Sequence, residues 1–584
     1  MNFAPLRSAS PNWLQVIVCI AFAFALTACS NESTTEHSSQ TNAKGKHQAA
    51  IASAHPLATQ AGMEILNAGG NAFDAAVATA AVLAVVEPYS AGMGGGGFWL
   101  LHDAKQNKNI FVDARETAPL KAHRDMYLDD DGEVIDKLSI NGPMAAAIPG
   151  QAAAFVHLAE RYGKLPLRET LKAAIDIADK GFPVDPYYRK LAGFRLQAMR
   201  LYPETSRIFL GDNKQIPAEG YLVKQPELSA TLQAIADKGF AGFYSGQVAI
   251  QLVNAVQAAG GIWTLDDLAQ YQVIEREPVT TQFDGYRIIS APPPSSGGLA
   301  IAQMMNMLTA LEQTQQLDWR TLDSVSQTHV ISEVMRRAYR DRALYLGDPD
   351  FVSIPTGTLL DATYAKDFIG SFNMNKATPS NTLGDPVGVT EGFHTTHLSV
   401  LDGQGNRVSA TLSINLPFGS AFTAKGTGVL LNNEMDDFSS KPGTPNAYGL
   451  VGNEANAIAP KKRPLSSMSP SFVESDSGVA ILGTPGGSRI ITMVMLGMLE
   501  HMQNQPVQKW VARKRFHHQY LPDVIQHEPN TFSDEEKSAL INKGHTLKDV
   551  GRQYGNMHAI HWDRSTNTVT AASDPRGIGE ALVE

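Results

Sequence analysis

A chain of 584 residues with 43% apolar and 18% charged side chains has the material for a large core and falls outside the disordered class. Its formal charge of −10, with no block of five basic residues, excludes a general nucleic-acid binder and leaves small soluble substrates open.

At the N-terminus, Arg7 precedes the apolar run "LQVIVCIAFAFAL" from Leu14 to Leu26. That run has the length of a signal-peptide core and is shorter than the roughly 20 residues a membrane-spanning helix needs. The "LTAC" ending at Cys29 resembles a bacterial lipobox, which implies removal of residues 1–28 and lipidation of the Cys29 sulfur. Ser30 is the residue type that, in such lipoproteins, accompanies sorting to the outer membrane. Both cysteines, Cys19 and Cys29, fall in this segment, so the body has no thiol for disulfides, zinc or catalysis. Residues 29–48 are polar and read as a flexible tether, with the fold expected to start near Ala49.

The stretch "HPLATQAGMEILNAGGNAFDAAVATAAVLAVVEP" predicts two helices divided at Gly69 and Gly70. The second is apolar nearly all round and too short for a bilayer, which predicts burial in the core. "GMGGGGFWLL" follows; it lacks the GxxxxGK[ST] pattern of a phosphate loop, so its glycines predict a tight turn or close backbone approach before a strand. Helical periodicity then appears around Ala152 to Tyr162, Glu169 to Lys180, Leu228 to Lys238 and Ser324 to Leu346, interrupted by "SAPPPSSGG". Strands and glycine turns prevail from about His397, and another helical region begins near Thr492. With no repeat and no linker after residue 49, these elements predict one large α/β unit with sheet and helices in layers.

Two β-rich segments, Thr395 to Leu401 and Arg407 to Asn415, flank "DGQGN" and predict a hairpin. Alternation puts Thr396, Leu398 and Val400 on one face and Thr395, His397 and Ser399 on the other. Keeping polar opposite polar sets Ser399 against Ser409, His397 against Thr411 and Thr395 against Ser413, so one face is lined with hydroxyls. Taken alone, such a hairpin reads as half-solvated. Metal binding there is disfavoured, since His394 and His397 would point to opposite faces.

Four polar clusters accompany the hairpin: "VDARETAP" with Arg115, "NNEMDDF" with Glu434, Asp436 and Asp437, "KKRPLSSMSP" with Ser466 and Ser467, and "GTPGGSRI" with Gly486 and Gly487. Singly, each has a bland reading as a solvated acidic loop, a capping serine pair or a bend. Together they supply carboxylates for an ammonium, an arginine and hydroxyls for a carboxylate, and paired backbone N–H groups for an oxyanion. The general base is missing, because there is no GxSxG elbow, no HExxH and no obvious serine and histidine pair. A threonine freed at a chain N-terminus would supply one through its own α-amine.

With these residues the chain resembles the γ-glutamyltransferases, also called glutathione hydrolases, from about Ala49 to the C-terminus. The resemblance rests on "GGNAFDAAVA", "GGGGF", "PPPSSGG", "YLGDPDF", "TTHLSV", "NNEMDDFSSKPG", "NAYGLVG", "RPLSSMSPS", "TPGGSRI", "RFHHQYLPD" and "ASDPR". It implies an α+β fold, the four-layer αββα sandwich of N-terminal nucleophile hydrolases, made as a self-cleaving precursor. The cut would fall between His394 and Thr395, giving a large subunit of residues 49–394 and a small one of 395–584 that stay together as a heterodimer. Thr395 would be the nucleophile and Ser413 its hydroxyl partner. Asn415, Glu434 and Asp437 would hold the α-amino end of the γ-glutamyl group, and Arg115, Ser466 and Ser467 its carboxylate. Gly486 and Gly487 would form the oxyanion hole, and Tyr448 would belong to a lid. Ser413 stands where Thr is more usual in the family, and Glu434 where some bacterial members have Gln.

The activity so implied transfers the γ-glutamyl group of glutathione and related compounds to water, an amino acid or a peptide, with no metal or organic cofactor. The enzyme would be exported, periplasmic and lipid-anchored. Alternatives within the same family are a glutaryl-cephalosporin acylase and a poly-γ-glutamate depolymerase; outside it stands a non-catalytic lipoprotein that binds γ-glutamyl ligands.

Overall fold

The computed structural model describes residues 47–384, 395–441 and 453–584. Cys29, His394 and Tyr448, residues 1–28 and most of the tether lie outside the described residues. The described chain forms two central sheets with helices on their outer faces.

The first sheet has seven strands. In chain order they are β1 (Ala50–Ser53), β2 (Gly96–Asp103), β3 (Lys108–Ala114), β4 (Ile274–Arg276), β7 (Thr395–Leu401), β8 (Arg407–Ser413) and β13 (Glu580–Val583), and in space they lie in the order β13, β1, β7, β8, β2, β3, β4. The second sheet comprises β5 (Val279–Phe283), β6 (Tyr286–Ser290), β9 (Ser471–Glu474), β10 (Gly478–Gly483), β11 (His558–Asp563) and β12 (Thr568–Ser573), ordered β12, β11, β10, β9, β6, β5. Each strand pair within these sheets is antiparallel.

Helices α1 (Pro56–Asn67), α2 (Ala72–Val86) and α3 (Gln151–Arg161) cover the first sheet, with α4 (Leu167–Lys180) behind them; α5 (Pro186–Leu201) and α6 (Pro226–Lys238) follow in the chain. The second sheet is covered by α7 (Gly297–Gln315) and α9 (Arg489–Met502), and α8 (Ser324–Tyr345) packs on α7. Helix, sheet, sheet, helix is the four-layer sandwich expected. All fifteen residues of α2 are buried, as its uniform apolarity predicts.

The predicted hairpin register is observed at every pair, including Thr395 opposite Ser413, His397 opposite Thr411 and Ser399 opposite Ser409. The half-solvated reading does not hold, because both strands are buried along their whole length. Leu398, Val400, Val408, Ala410 and Leu412 join the core under the first helix layer, while the hydroxyl face turns toward the second sheet. There Ser399 Oγ donates to the His558 carbonyl (3.1 Å), Ser409 Oγ donates to the Leu482 carbonyl (3.2 Å) and accepts from the Ser471 N–H (3.0 Å). His397 lies between the Thr411 hydroxyl (2.9 Å from Nδ1) and Ser399. Burial holds its pKa well below the usual histidine value, so it is a neutral link between the two strands of the hairpin. Polar alternation thus marks a hydrogen-bonded contact between sheets, since buried hydroxyls are stable when partnered.

The glycine cluster before β2 makes the close approach expected of it. A Cβ on Gly95 would stand 2.1 Å from the Ser413 carbonyl oxygen, a backbone atom that cannot swing aside. Gly95→Ala should therefore displace the end of β8 that faces Thr395. The expected cost is about 1–3 kcal/mol of stability, read as a lowered denaturation midpoint.

Candidate active site

Thr395 opens β7 and is 7% exposed. Pairing sets Ser413, the last residue of β8, across from it, and Gly96 of β2 across from Ser413. The chain then turns at Asn415, whose φ of +72° lies in the left-handed region that asparagine tolerates. The Asn415 N–H donates to Ser413 Oγ (2.8 Å), and its Nδ2 donates to the Asn433 carbonyl (3.0 Å). Asn433 Oδ1 in turn accepts from the Leu416 N–H (3.0 Å). Glu434 is the next residue, so a short hydrogen-bonded path leads from the threonine to the acidic segment.

Glu434–Asp437 forms a buried single turn, not a solvated loop. Arg115, 1% exposed, enters it from the end of β3. Its Nη1 lies 2.8 Å from Glu434 Oε2 and its Nη2 2.5 Å from Asp437 Oδ2, while Nε donates to the Pro464 carbonyl (3.3 Å). Asp113 fixes the arginine's backbone by accepting the Arg115 N–H (3.0 Å) and is itself held by Arg276 (2.8 Å). Glu116 Oε2 is a further 3.6 Å from Nη1. Among the described residues, neither oxygen of Glu116 nor Glu434 Oε1 has a hydrogen-bond partner. Burial pushes both glutamates above the usual carboxylate range, with Arg115 drawing them back. Three carboxyl groups around one guanidinium leave an excess of acid, the composition that suits an incoming ammonium. Asp436 is separate from this cluster: it accepts the Ser139 hydroxyl (2.6 Å), and burial pushes it up to about 7.

Ser466 and Ser467 follow Leu465, whose carbonyl accepts from Arg115 Nη2 (3.4 Å). They are braced from behind by the "PPPSSGG" segment at the start of α7. Ser296 donates to the Ser466 carbonyl through its N–H (2.7 Å) and its hydroxyl (2.8 Å), the Ser466 N–H donates to the Pro294 carbonyl (2.9 Å), and Ser295 Oγ donates to the Met468 carbonyl (2.7 Å). Arg342 of α8 donates to Ser467 Oγ (3.0 Å) and Ser296 Oγ (2.7 Å). Arg115 thus contacts the backbone just before the two serines, while Arg342 contacts the Ser467 hydroxyl directly.

Gly486 and Gly487 precede α9 with φ of +145° and +60°, the region that favours glycine. Among the described residues neither N–H has an acceptor, and Gly486 lines the same cavity as Thr395. Two such amides at the start of a 14-residue helix suit a developing oxyanion.

One triad elsewhere, His329, Glu333 and His545, brings three donor atoms within 4.8 Å of one another. Glu333 is paired with Arg337 (2.6 Å) and Arg336 (3.4 Å), and His329 bonds His545 (2.7 Å) and the Asn373 carbonyl (2.9 Å). These groups form a buried network of ion pairs and hydrogen bonds.

Sequence reasoning grouped Thr395, Ser413, Asn415, Arg115, Glu434 and Asp437, and the structure sets Ser413 opposite Thr395 and Arg115 against Glu434 and Asp437. It missed Glu116, whose signal was adjacency to Arg115 in "VDARETAP", and the bracing by Ser295, Ser296 and Arg342. "PPPSSGG" reads in the sequence as a break between helices and as a motif of the resemblance, with no role against Ser466 expected of it.

The family model described as Gamma-glutamyltranspeptidase matches residues 58–584. A Pseudomonas aeruginosa protein named glutathione hydrolase proenzyme is 42% identical over 541 residues, covering 91% of this chain and 94% of its own. The Escherichia coli protein of the same name is 38% identical, with 91% of each chain covered. A crystal structure of cephalosporin acylase from Bacillus halodurans superposes with a TM-score of 0.78 at 26% identity, covering 95% of this chain and 99% of its own.

Proposed function

The chain belongs to the gamma-glutamyltranspeptidase family, and on that premise we propose how its residues divide the work of a γ-glutamyltransferase and glutathione hydrolase. Self-cleavage between His394 and Thr395 frees the threonine α-amine. Glu434, Asp437 and Asn415 receive the α-ammonium of a γ-glutamyl donor such as glutathione, and Arg115, Ser466 and Ser467 receive its α-carboxylate. The amine of Thr395 takes the proton of its own hydroxyl as Oγ1 attacks the γ-carbonyl. The tetrahedral oxyanion is held by the N–H groups of Gly486 and Gly487. On collapse the proton passes to the departing amine, cysteinylglycine when glutathione is the donor. Water or the amine of an amino acid or peptide then takes the acyl group from Thr395.

Ser413 orients the threonine hydroxyl, while Tyr448, the expected lid residue, lies outside the described residues. The two products of the cut, 49–394 and 395–584, remain one heterodimer because β7, β8 and β13 of the small subunit pair within the first sheet with β1 and β2 of the large one. Export fits the apolar run from Leu14 to Leu26, and Cys29 is the proposed lipid-anchored residue that would hold the body beside a bacterial membrane. Among the described residues no helix is long and apolar enough to cross a membrane.

One observation carries the donor assignment: Glu434, Asp437 and Glu116 crowd a single arginine in a buried cluster. A glutaryl group lacks the ammonium that would balance that cluster, which disfavours the acylase alternative. The test compares release of an aniline from γ-glutamyl and glutaryl anilides. The γ-glutamyl compound should be turned over at least about 100-fold faster, as expected where a buried ionic partner is missing. Its rate should rise with pH as the Thr395 amine loses its proton, around the reference α-amine range of about 7.7 to 8.0. Equal rates would reject the donor assignment, and a profile flat from pH 6 to 9 would reject the amine as base.

A further inference from the structure

One motif of the sequence, "RFHHQYLPD", has no role in the γ-glutamyl clamp. It belongs to the small product of the proposed cut, yet its side chains close on the end of the large one. That end, residues 371–384, forms no helix or strand longer than the turn at Ser380–Thr382 and stops ten residues short of His394. What holds it in place is a set of side chains from both products.

Helix α8 of the large product supplies the first contacts. Arg337 Nη2 donates to the Ser371 (2.9 Å) and Thr378 (3.1 Å) hydroxyls, Glu333 Oε1 accepts the Thr378 N–H (3.0 Å), and Arg336 Nη1 donates to Ser380 Oγ (2.7 Å). The small product supplies the rest. Lys543 donates from Nζ to the Met374 carbonyl (2.7 Å), and its own carbonyl accepts the Ala377 N–H (2.7 Å). Asp523 Oδ2 accepts the Ser380 N–H (2.8 Å), the Ser380 hydroxyl donates to the Tyr520 carbonyl (2.7 Å), and the Tyr520 hydroxyl donates to the Gly384 carbonyl (3.1 Å). Asp523 Oδ1 pairs with Arg336 and accepts from His518 Nε2 (3.1 Å). Burial holds the His518 pKa down at about 4, so the ring is neutral; its Nδ1 accepts the Tyr520 N–H (3.2 Å), which leaves Nε2–H as the donor to Asp523. Because many of these bonds act on backbone groups, they fix the path of the chain itself.

Resting on the self-cleavage read above, we propose that Tyr520, Asp523 and Ser380 are positioning residues for maturation. Pairing of β7 with β8 fixes Thr395 and this anchor fixes Gly384, so both ends of the connecting segment are set before the cut. Fixing both ends lowers the entropic cost of bringing the 394–395 bond to the Thr395 hydroxyl. In the cleavage step Oγ1 bonds to the His394 carbonyl carbon, the C–N bond breaks as the nitrogen takes the hydroxyl proton, and water then cleaves the ester. A carboxyl group is left on His394, and a free amine and hydroxyl on Thr395. Turnover by the mature enzyme needs no such span, because the bond is already broken. The anchor therefore acts on the rate of maturation and not on the rate of catalysis.

The test follows freshly translated full-length chains as one band becomes two, then assays the completed two-chain enzyme on γ-glutamyl anilide. Tyr520→Phe, which removes the hydroxyl that holds Gly384, should slow conversion about fivefold, the effect of one hydrogen bond. Asp523→Asn, which keeps the shape and removes the charge facing Arg336, should slow it about 30-fold. Once cut, both variants should match the wild-type kcat/KM within about twofold. Leu232→Ala, a cavity in the buried face of α6, lowers the denaturation midpoint without touching the anchor and should convert at the wild-type rate. Wild-type conversion in both anchor variants, equal slowing in Leu232→Ala at a matched midpoint, or a mature kcat/KM that falls as far as the conversion rate overturns the positioning role while leaving the cut intact. A wild type that stays one chain overturns the cut and the anchor's role with it.

Discussion

Thr395→Ala is expected to leave the protein as one uncut chain and to lower γ-glutamyl turnover by at least about 10⁴-fold, the scale of loss when a covalent nucleophile is removed. Two roles fall on the same hydroxyl. In the precursor it would attack at the proposed cut, and in the mature enzyme it would carry the acyl group. The substitution removes a hydroxyl and a methyl at the end of β7, where pairing with Ser413, the His397 bond to Thr411 and the inter-sheet bond of Ser399 remain. The sandwich should therefore survive, with a denaturation midpoint close to that of the wild type. Intact mass and N-terminal sequencing check the first effect: native protein should give two chains, one beginning Thr-Thr-His, against a single chain in the variant. A native protein that stays whole, or a variant that is cut, would remove Thr395 from the maturation step. The binding-only lipoprotein would then become the leading reading of an uncut native chain.

The parts of the site legible in the sequence were those set by periodicity of two along a strand. Hairpin alternation fixed which residues oppose one another, so Thr395, Ser413 and the hydroxyl face followed from the pattern and were observed in that register. What alternation does not encode is what covers a polar face. A strand with hydroxyls outward looks the same in water and against a second sheet, and the difference lies in Leu482, Ser471 and His558, some 60 to 160 residues further along. The same limit applied to "NNEMDDF", whose acids suggest solvent until Arg115, more than 300 residues earlier, is seen among them. The bracing of Ser466 by Ser296 and of Ser380 by Asp523 is likewise a product of tertiary folding, joining segments with no shared local pattern. The family resemblance reached the clamp because its motifs record such contacts indirectly. It gave no account of Ser380 or Glu116.

Arg115→Gln tests the clamp from its centre. The guanidinium holds Glu434 and Asp437 at 2.8 and 2.5 Å and stands 3.6 Å from Glu116, all of them buried. Glutamine retains part of the side-chain length and can still donate hydrogen bonds, but the positive charge is lost. Removing one partner from a buried ionic cluster costs about 3–5 kcal/mol of stability, because the remaining charges lose their compensation without regaining water. The carboxyl groups can escape part of that cost by taking up protons. In the wild type burial already raises Glu434 and Glu116, and Arg115 is the leading influence that lowers them. In the variant both should rise further above their unfolded values. A carboxyl whose folded pKa is raised favours the fold when protonated, so its contribution is complete below the unfolded value of about 4.3 and fades as pH climbs through the folded one. The variant's midpoint should therefore lie nearest the wild type's at pH 5 and fall progressively behind toward pH 9. Activity should drop with it, by about 10³-fold in kcat/KM, since a donor would lose the cation for its carboxylate and meet carboxyl groups that have taken up protons. Thermal denaturation across that pH range, paired with γ-glutamyl anilide kinetics, measures both effects. A midpoint deficit that is constant with pH would show that the cluster does not titrate with the arginine. An unchanged kcat/KM would remove Arg115 from the donor site.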